Sequence, residues 1–560
     1  MHRERSLEAT FWRSCLYVLG FLLCSTTLSA AETGEVDSLS VDTKTEEEAV
    51  TLPEMTVTAA PGRDTGYSAP NATTATKADT PIMETPVSIQ VVPQQVLKDQ
   101  RATSIKDALE NVSGVRSFNN EAFGYVYNIR GFKNFNPFRN SLQSSLAVAT
   151  VYDTASLERI EVLKGPGSVL YGRIDPGGII NLVTKNALDV PYYRLEQEFG
   201  SFDHYRTLWD ATGPLTKDGG IAYRLAGAYQ DSDSFRDFHE QERFLIYPTL
   251  IWRPSTATEL KLNLEYFHHD VQNDIGIPAL NDRPAPIPIS RSFQELDDPL
   301  DETYRTTVGF EFSHGMNEFW SIHNRFHYID AFFQQVDVEP VSVSPDNQTL
   351  DRAISGQELD TDGIYALNLD LIGKFDVLGS KHNILTGFDY YYEYYDYLAT
   401  GAHGGFDETD PALAIDIFNP NYAGFSSSQI RAVFEAQLSQ QRVLFGPSEI
   451  EQYGVYFQDH ITLFDKLHIL GGGRYDWASV ASGCCSSSFT EAQAILDSNE
   501  NKDEQFSPRV GILYQPWPWI GVYGSWSNSL GTNNGVTASG EPQPPPNRPT
   551  MGGWPKNRAV

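Results

Sequence analysis

Beyond residue 190 the chain is written in period two. In residues 259–266 one face collects Leu260, Leu262, Leu264 and Tyr266, and the other Glu259, Lys261, Asn263 and Glu265. Ile221, Tyr223, Leu225, Gly227 and Tyr229 alternate in the same way with Ala222, Arg224, Ala226 and Ala228, and the pattern returns at 453–461, 467–475, 510–514 and 520–526. Successive side chains of a strand point to opposite faces, so these segments are strands with one apolar face. Some joints are short, as at Lys217-Asp218-Gly219-Gly220 and Pro254-Ser255-Thr256; others, such as 270–304 and 399–440, are long, acidic and aromatic. Alternating short turns and long loops, with aromatics at strand ends, predict an outer-membrane barrel in preference to a soluble β-sandwich.

The N-terminus fits export. Arg3, Arg5 and Arg13 precede an apolar stretch at 15–23 and the small residues Ser29-Ala30-Ala31, the layout of a secretory signal peptide over residues 1–31. The apolar stretch is shorter than the roughly 20 residues a spanning helix needs. No later segment holds 18 apolar residues in a row, so a membrane role requires a closed β-structure. After the signal only Cys484 and Cys485 remain, too few for a disulfide scaffold, and no catalytic role is expected of them. The net charge of -32 argues against nucleic acid as a partner, because a polyanion is repelled at long range.

Residues 32–76 form a polar, acidic tail that carries one β-prone run, Glu54, Met55, Thr56, Val57, Thr58 and Ala59. An extended peptide on a tether suits docking onto another protein's sheet edge. Residues 77–187 read as a compact α+β domain. Residues 87–92 form a strand, Thr103 or Ser104 caps a helix burying Ile105, Leu109 and Val112, and the helix stops at Gly114. A second strand, 157–163, runs into the glycine-rich stretches Lys164-Gly165-Pro166-Gly167 and Pro176-Gly177-Gly178, which imply tight turns and close backbone approach.

Taken in order, residues 54–59, Thr85-Pro86-Val87-Ser88-Ile89, Tyr127-Asn128-Ile129-Arg130-Gly131-Phe132, Leu157-Glu158-Arg159-Ile160-Glu161-Val162, Leu170-Tyr171-Gly172 and Pro176-Gly177-Gly178 resemble the TonB-dependent receptors, in the ferric-siderophore branch typified by the ferrichrome receptor. The resemblance runs from Glu54 to about residue 530. It implies an α+β plug domain inside a membrane-spanning antiparallel β-barrel, 22 strands in the family, in the outer membrane of a Gram-negative bacterium. It also implies a TonB box at 54–59, a ferric siderophore as cargo, TonB with its inner-membrane energising complex as partner, and no cofactor, iron entering only as chelated cargo. Importers of cobalamin, haem or a glycan are the nearest alternative.

The barrel segment, 190–530, supplies roughly 14 to 16 strands at the usual spacing. Residues 531–560 lack alternation and read as an irregular tail, so the barrel is expected to be incomplete and the sequence reads as truncated, with a non-functional receptor as the corollary.

For ligand contact the expected residues are Tyr127, Arg130, Phe132, Phe135, Phe138 and Arg139, since aromatics cradle an apolar chelate while guanidinium groups donate to its oxygens. Glu158, Arg159 and Glu161 are expected to hold plug to barrel by ion pairs. Tyr390, Tyr391, Tyr392, Tyr394, Tyr395 and Tyr397 suit either the vestibule or an interfacial girdle. His268-His269-Asp270 looks like a metal cluster, but loop histidines are more often solvated and no metal ligand is assigned. A porin would lack the box and the plug. An enzyme would need a site, yet Gly178 stands where a phosphate loop requires Lys, and neither HExxH nor GxSxG occurs. Acidic loop residues around 295–302 disfavour a highly anionic catecholate complex and favour a hydroxamate or other low-charge chelate.

Overall fold

The computed structural model describes residues 66–119, 125–134, 137–144, 151–294, 301–401, 411–422, 426–439, 443–484 and 486–528. The signal peptide, the box at 54–59, Phe135, Cys485 and the tail at 531–560 lie outside the described residues.

Residues 77–187 build an α+β unit, and part of the segment read as tail joins it, Asn71–Ala72 pairing with Thr80–Pro81. Its five-stranded sheet has the order Ser88–Pro93, Leu157–Lys164, Gly178–Thr184, Phe138–Arg139, Leu142–Gln143, and a three-stranded sheet, Val115–Asn119, Tyr125–Ile129 and Phe132–Asn134, lies beside it. The helix Ile105–Leu109 is capped by Ser104 in a reciprocal capping box with Asp107. Its buried face, Ile105 and Leu109, packs with Val112, Tyr127, Ile129, Ile160, Val162, Ile180 and Leu182 into one core. Two glycines show why the sequence is glycine-rich here. A Cβ on Gly177 would lie 2.4 Å from the Ile129 carbonyl oxygen, and one on Gly178, at φ +129°, would lie 1.9 Å from that of Leu163.

Beyond residue 190 one large antiparallel sheet dominates, with a separate two-stranded ribbon, Ala279–Leu280 with Arg283–Pro284, and the helices Ser427–Ser439 and Phe489–Ser498 in its connections. Its wall strands are β1 Tyr192–Phe199, β2 Tyr205–Pro214, β3 Ile221–Asp233, β4 Glu240–Ser255, β5 Thr258–Val271, β6 Asp301–Gly315, β7 Trp320–Val343, β8 Thr349–Val377, β9 Ser380–Thr400, β10 Ser448–Leu463, β11 Leu467–Ser482, β12 Glu500–Trp517 and β13 Ile520–Ser527. They pair in chain order, and two short strands, Ile415–Asp416 and Val443–Phe445, bring the sheet to 15, within the expected range. Among the described residues no pairing joins β13 back to β1. The connections at one end, 215–220, 256–257, 316–319, 378–379, 464–466 and 518–519, are short, and at the other end the longest runs from 401 to 447. In outer-membrane barrels the long loops are extracellular.

Burial across this sheet is inverted relative to a soluble protein. On β3 the face bearing Ala222, Arg224, Ala226 and Ala228 is buried against the plug, whereas Leu225 and Tyr229 are exposed on the other. Leu250 and Trp252 on β4, Phe457 on β10 and Ile512 on β12 are likewise exposed. An outward apolar band with polar groups inside is a lipid-facing wall. Aromatics border it at both ends: Phe244 with Tyr266, Tyr304 stacked on Phe332 and Tyr453 stacked on Trp477 towards the long loops, Trp320 with Phe375 and Trp517 with Trp519 at the short turns. No helix among the described residues is long and apolar enough to cross a membrane.

Candidate functional site

The plug meets the wall through buried charge. Arg206 of β2 donates through Nη1 and Nη2 to the Asp153 carboxylate at 2.9 and 2.8 Å, and Arg243 of β4 stands 3.6 Å from the same carboxylate. Burial alone would raise the Asp153 pKa, but the Arg206 guanidinium outweighs it and holds the carboxyl below its usual range. Arg139 forks onto Glu265 of β5 at 2.9 and 2.8 Å and lies over the Tyr247 ring. Lys185 reaches Asp210 at 3.0 Å, and Arg224 closes on that same carboxylate at 2.6 Å. Lower on the wall, Asn140 Nδ2 donates to Glu311 and His327 Nε2 to the Gln143 carbonyl, each at 2.9 Å.

The chain that leads into the plug is wedged between plug and wall. Glu161 accepts from the backbone of Thr73 and Thr74 at 2.9 and 2.8 Å and from Thr74 Oγ1 at 2.6 Å. Lys77 Nζ donates to Tyr456 Oη at 2.8 Å and sits 3.5 Å from Asp389, a carboxylate that Arg474 also grips.

The residues expected to touch ligand separate. Tyr127 and Phe138 are plug core, the latter edge-on to Tyr171 at 5.1 Å, and Arg139 is committed to Glu265. Arg130 and Phe132 are exposed at the turn between Tyr125–Ile129 and Phe132–Asn134, with Arg130 at φ +54° and its N–H bonded to the Gly114 carbonyl at 2.9 Å. Of the charges expected to pin plug to wall, Glu158 comes within 4.0 Å of Arg224. Arg159 and Glu161 instead pair with each other at 2.7 Å inside the plug, and Glu161 spends its remaining lone pairs on Thr73 and Thr74. Both point to the strand face opposite Glu158, where Thr73 and Thr74 cover Glu161. The pairs that do bridge, through Arg206, Glu265 and Arg243, were missed. Their signal is a charge at an inward-parity position of a strand whose other face is apolar.

The tyrosine run splits by parity. Tyr391 is buried inward with Leu142 of the plug, and Tyr395 and Tyr397 pack beside it. Tyr392, one residue out of step, packs against Tyr365, and Tyr390 donates to Glu451 at 3.1 Å.

His268 Nε2 lies 3.3 Å from Asp270 and 3.2 Å from Glu302, close enough for the three groups to hold a metal ion. Their arrangement is equally that of an imidazole ion-paired between two carboxylates. At the extracellular end the loops fold on one another: Phe293, Leu350, Ile415 and Ile417 form a small core, and buried Arg352 donates to the Leu413 and Phe293 carbonyls at 2.6 and 2.7 Å.

Two family profiles match, the TonB-dependent Receptor Plug Domain over residues 81–179 and the TonB dependent receptor-like beta-barrel over residues 247–554. The chain belongs to the TonB-dependent receptor family. This places the receptor in the outer membrane of a Gram-negative bacterium, as a plug set against a β-barrel wall. It is 31% identical over 500 residues to the metal-pseudopaline receptor CntO of Pseudomonas aeruginosa, covering 87% of this chain and 67% of the relative. It is 28% identical over 526 residues to the ferrichrome outer membrane transporter/phage receptor of Escherichia coli K12, covering 87% and 67%. Among solved structures it resembles BauA, the ferric preacinetobactin receptor of Acinetobacter baumannii, with TM-score 0.71 and 18% identity over 86% of this chain and 70% of the other. It also resembles the FpvAI receptor in complex with pyocin S2, with TM-score 0.70 and 21% identity over 82% of this chain and 58% of the other. The receptor thus spans about two thirds of the length of these curated relatives.

Proposed function

We propose that the receptor binds a ferric siderophore from the extracellular side and passes it to the periplasm with energy delivered by TonB. The observation that carries this reading is the plug itself, held to the inner wall by buried ion pairs through Asp153 and Arg139. A passive pore needs an open lumen, whereas a plugged wall needs work to open it. The proton motive force is the available source, at about 2.3 kcal/mol per charge per 100 mV. Glu54 to Ala59 serve as the TonB-docking segment, and a pull on them is transmitted to the strap at Thr73, Thr74 and Lys77. Arg130 and Phe132, though exposed, sit beside Gly165 and Gly177 at the short-turn end of the plug, opposite to the end that cargo entering from the long loops meets first. The receptor performs no chemistry and holds no resident cofactor, iron passing through as chelated cargo.

The name of the 31% identical relative, a metal-pseudopaline receptor, favours a second cargo reading, a chelate whose metal need not be iron. Uptake of radiolabelled ferric and nickel chelates by cells that make this chain as their sole such receptor separates the two. Iron accumulation that requires TonB supports the first reading, nickel accumulation the second, and uptake independent of TonB removes both.

A further inference from the structure

The plug–wall junction near the extracellular loops gathers buried arginine. Around Asp153 and Glu265 stand four guanidinium groups: Arg206 and Arg243 at the first carboxylate, Arg139 and Arg305 at the second. All six side chains are more than nine-tenths buried. Asp301 and Asp337, higher on β6 and β7, are buried carboxylates held by the neutral donors of Asn273, Val336 and Gln294, and among the described residues no ion pair joins them to these four arginines. Lys261 and Glu311, lower down, pair with each other. Four fixed positive charges against two negative ones are costly in a buried setting, and all the more conspicuous in a chain of net charge -32.

The excess resides at Arg243. Arg206 satisfies its fork on Asp153 and donates also to Gln230. Arg305 is stacked on the Tyr152 ring at 4.1 Å and shares Glu265. Arg243 has one hydrogen bond, from Nη2 to Gln241 at 3.2 Å; its Nη1 stands 3.6 Å from the Asp153 carboxylate that Arg206 already occupies, and its Nε and Nη1 are buried without a hydrogen-bond acceptor. His269, its direct cross-strand neighbour and 6% exposed, has a buried Nε2 without a partner too. Both residues are three or fewer positions from the extracellular ends of β4 and β5, the depth that cargo entering from the loops reaches first. Unsatisfied buried donors are rare in native proteins and point to a group that is bound in use. Water would satisfy the hydrogen bonds but leave the charge.

We propose that Arg243 and His269 form a docking point for a carboxylate arm of the cargo. This rests on the reading of the receptor as a carrier of metal chelates and narrows its cargo class. The acidic loops disfavour a highly anionic complex, so the fitting ligand is a chelate of low overall charge bearing one free carboxylate. That arm forks onto Arg243 Nε and Nη1 while His269 Nε2 donates to it, as charge-assisted bonds do elsewhere.

The test titrates the full chain, purified in detergent, with two ferric complexes of the same trihydroxamate: N-acetyl-desferrioxamine B, without a carboxylate, and N-succinyl-desferrioxamine B, with one. The succinyl complex is expected to bind about tenfold more tightly, the equivalent of one charge-assisted bond. Arg243→Gln, and independently His269→Gln in case the arginine variant does not fold, should bring the ratio of the two affinities towards one. Equal binding of both complexes by the unaltered receptor, or a preference that survives in both variants, overturns the carboxylate site while leaving the chelate reading intact. Binding of neither complex counts against the chelate reading and removes the site with it.

Discussion

Asp153 of the plug and Arg206 of the wall are joined by two parallel hydrogen bonds with both side chains buried. They are 53 positions apart in the chain and belong to different structural units, so this pair is a direct measure of plug seating. Removing one partner strands a buried charge, and about 3–5 kcal/mol of local stability should be lost in Arg206→Ala. The combined Asp153→Asn and Arg206→Met variant should recover most of it. Thermal unfolding of the four members of this cycle checks the expectation, and a double variant no better than the single one would show that the pair does not act alone.

The same carboxylate sets an acid limit. Its folded pKa lies below the ordinary 3.8, so the stability it contributes is fully present above that value and is lost as pH falls through the lower, folded one. Protease access to the plug should therefore stay flat from pH 7 to about pH 5 and rise only below the unfolded carboxylate value. In Asp153→Asn the acid-induced rise should shrink.

Gly177 and Gly178 admit no side chain. Gly178→Ala drives a methyl into the Leu163 carbonyl in a strained backbone conformation, and Gly177→Ala meets Ile129. Each should cost at least about 1–3 kcal/mol. Gly471, whose Cβ would meet nothing within 4 Å, is the control and should tolerate alanine. Melting temperatures of the three variants decide this.

Leu262 of β5 pairs with Leu250 and Phe310 on the outward face. Arginine there should cost about 2–4 kcal/mol if the face lies in lipid near the midplane. Reduced assembly into the outer membrane is the readout, against Asn263→Arg on the opposite face, and equal assembly of both would contradict the lipid-facing assignment of this surface.

The sequence by itself determined the alternation of the wall strands, the Ser104 cap and the glycine-tight turns, because each depends on neighbours a few residues away. It also carried the family, through the order of motifs from Thr85 to Gly178. Which face of the wall looks inward, and what each inward charge meets, was decided only by docking the plug. Glu161, read as a wall contact, turns to Thr73 and Thr74 because the chain entering the plug packs over its face of the strand. Arg139, read as a ligand contact, closes on Glu265, 126 positions away. Tyr391 and Tyr392 look alike in sequence, yet one packs on Leu142 and the other on Tyr365, because inward and outward acquire meaning only once the plug occupies one side. Pattern is local and survives in the sequence; pairing across a buried interface depends on three-dimensional placement, which no spacing of residues encodes.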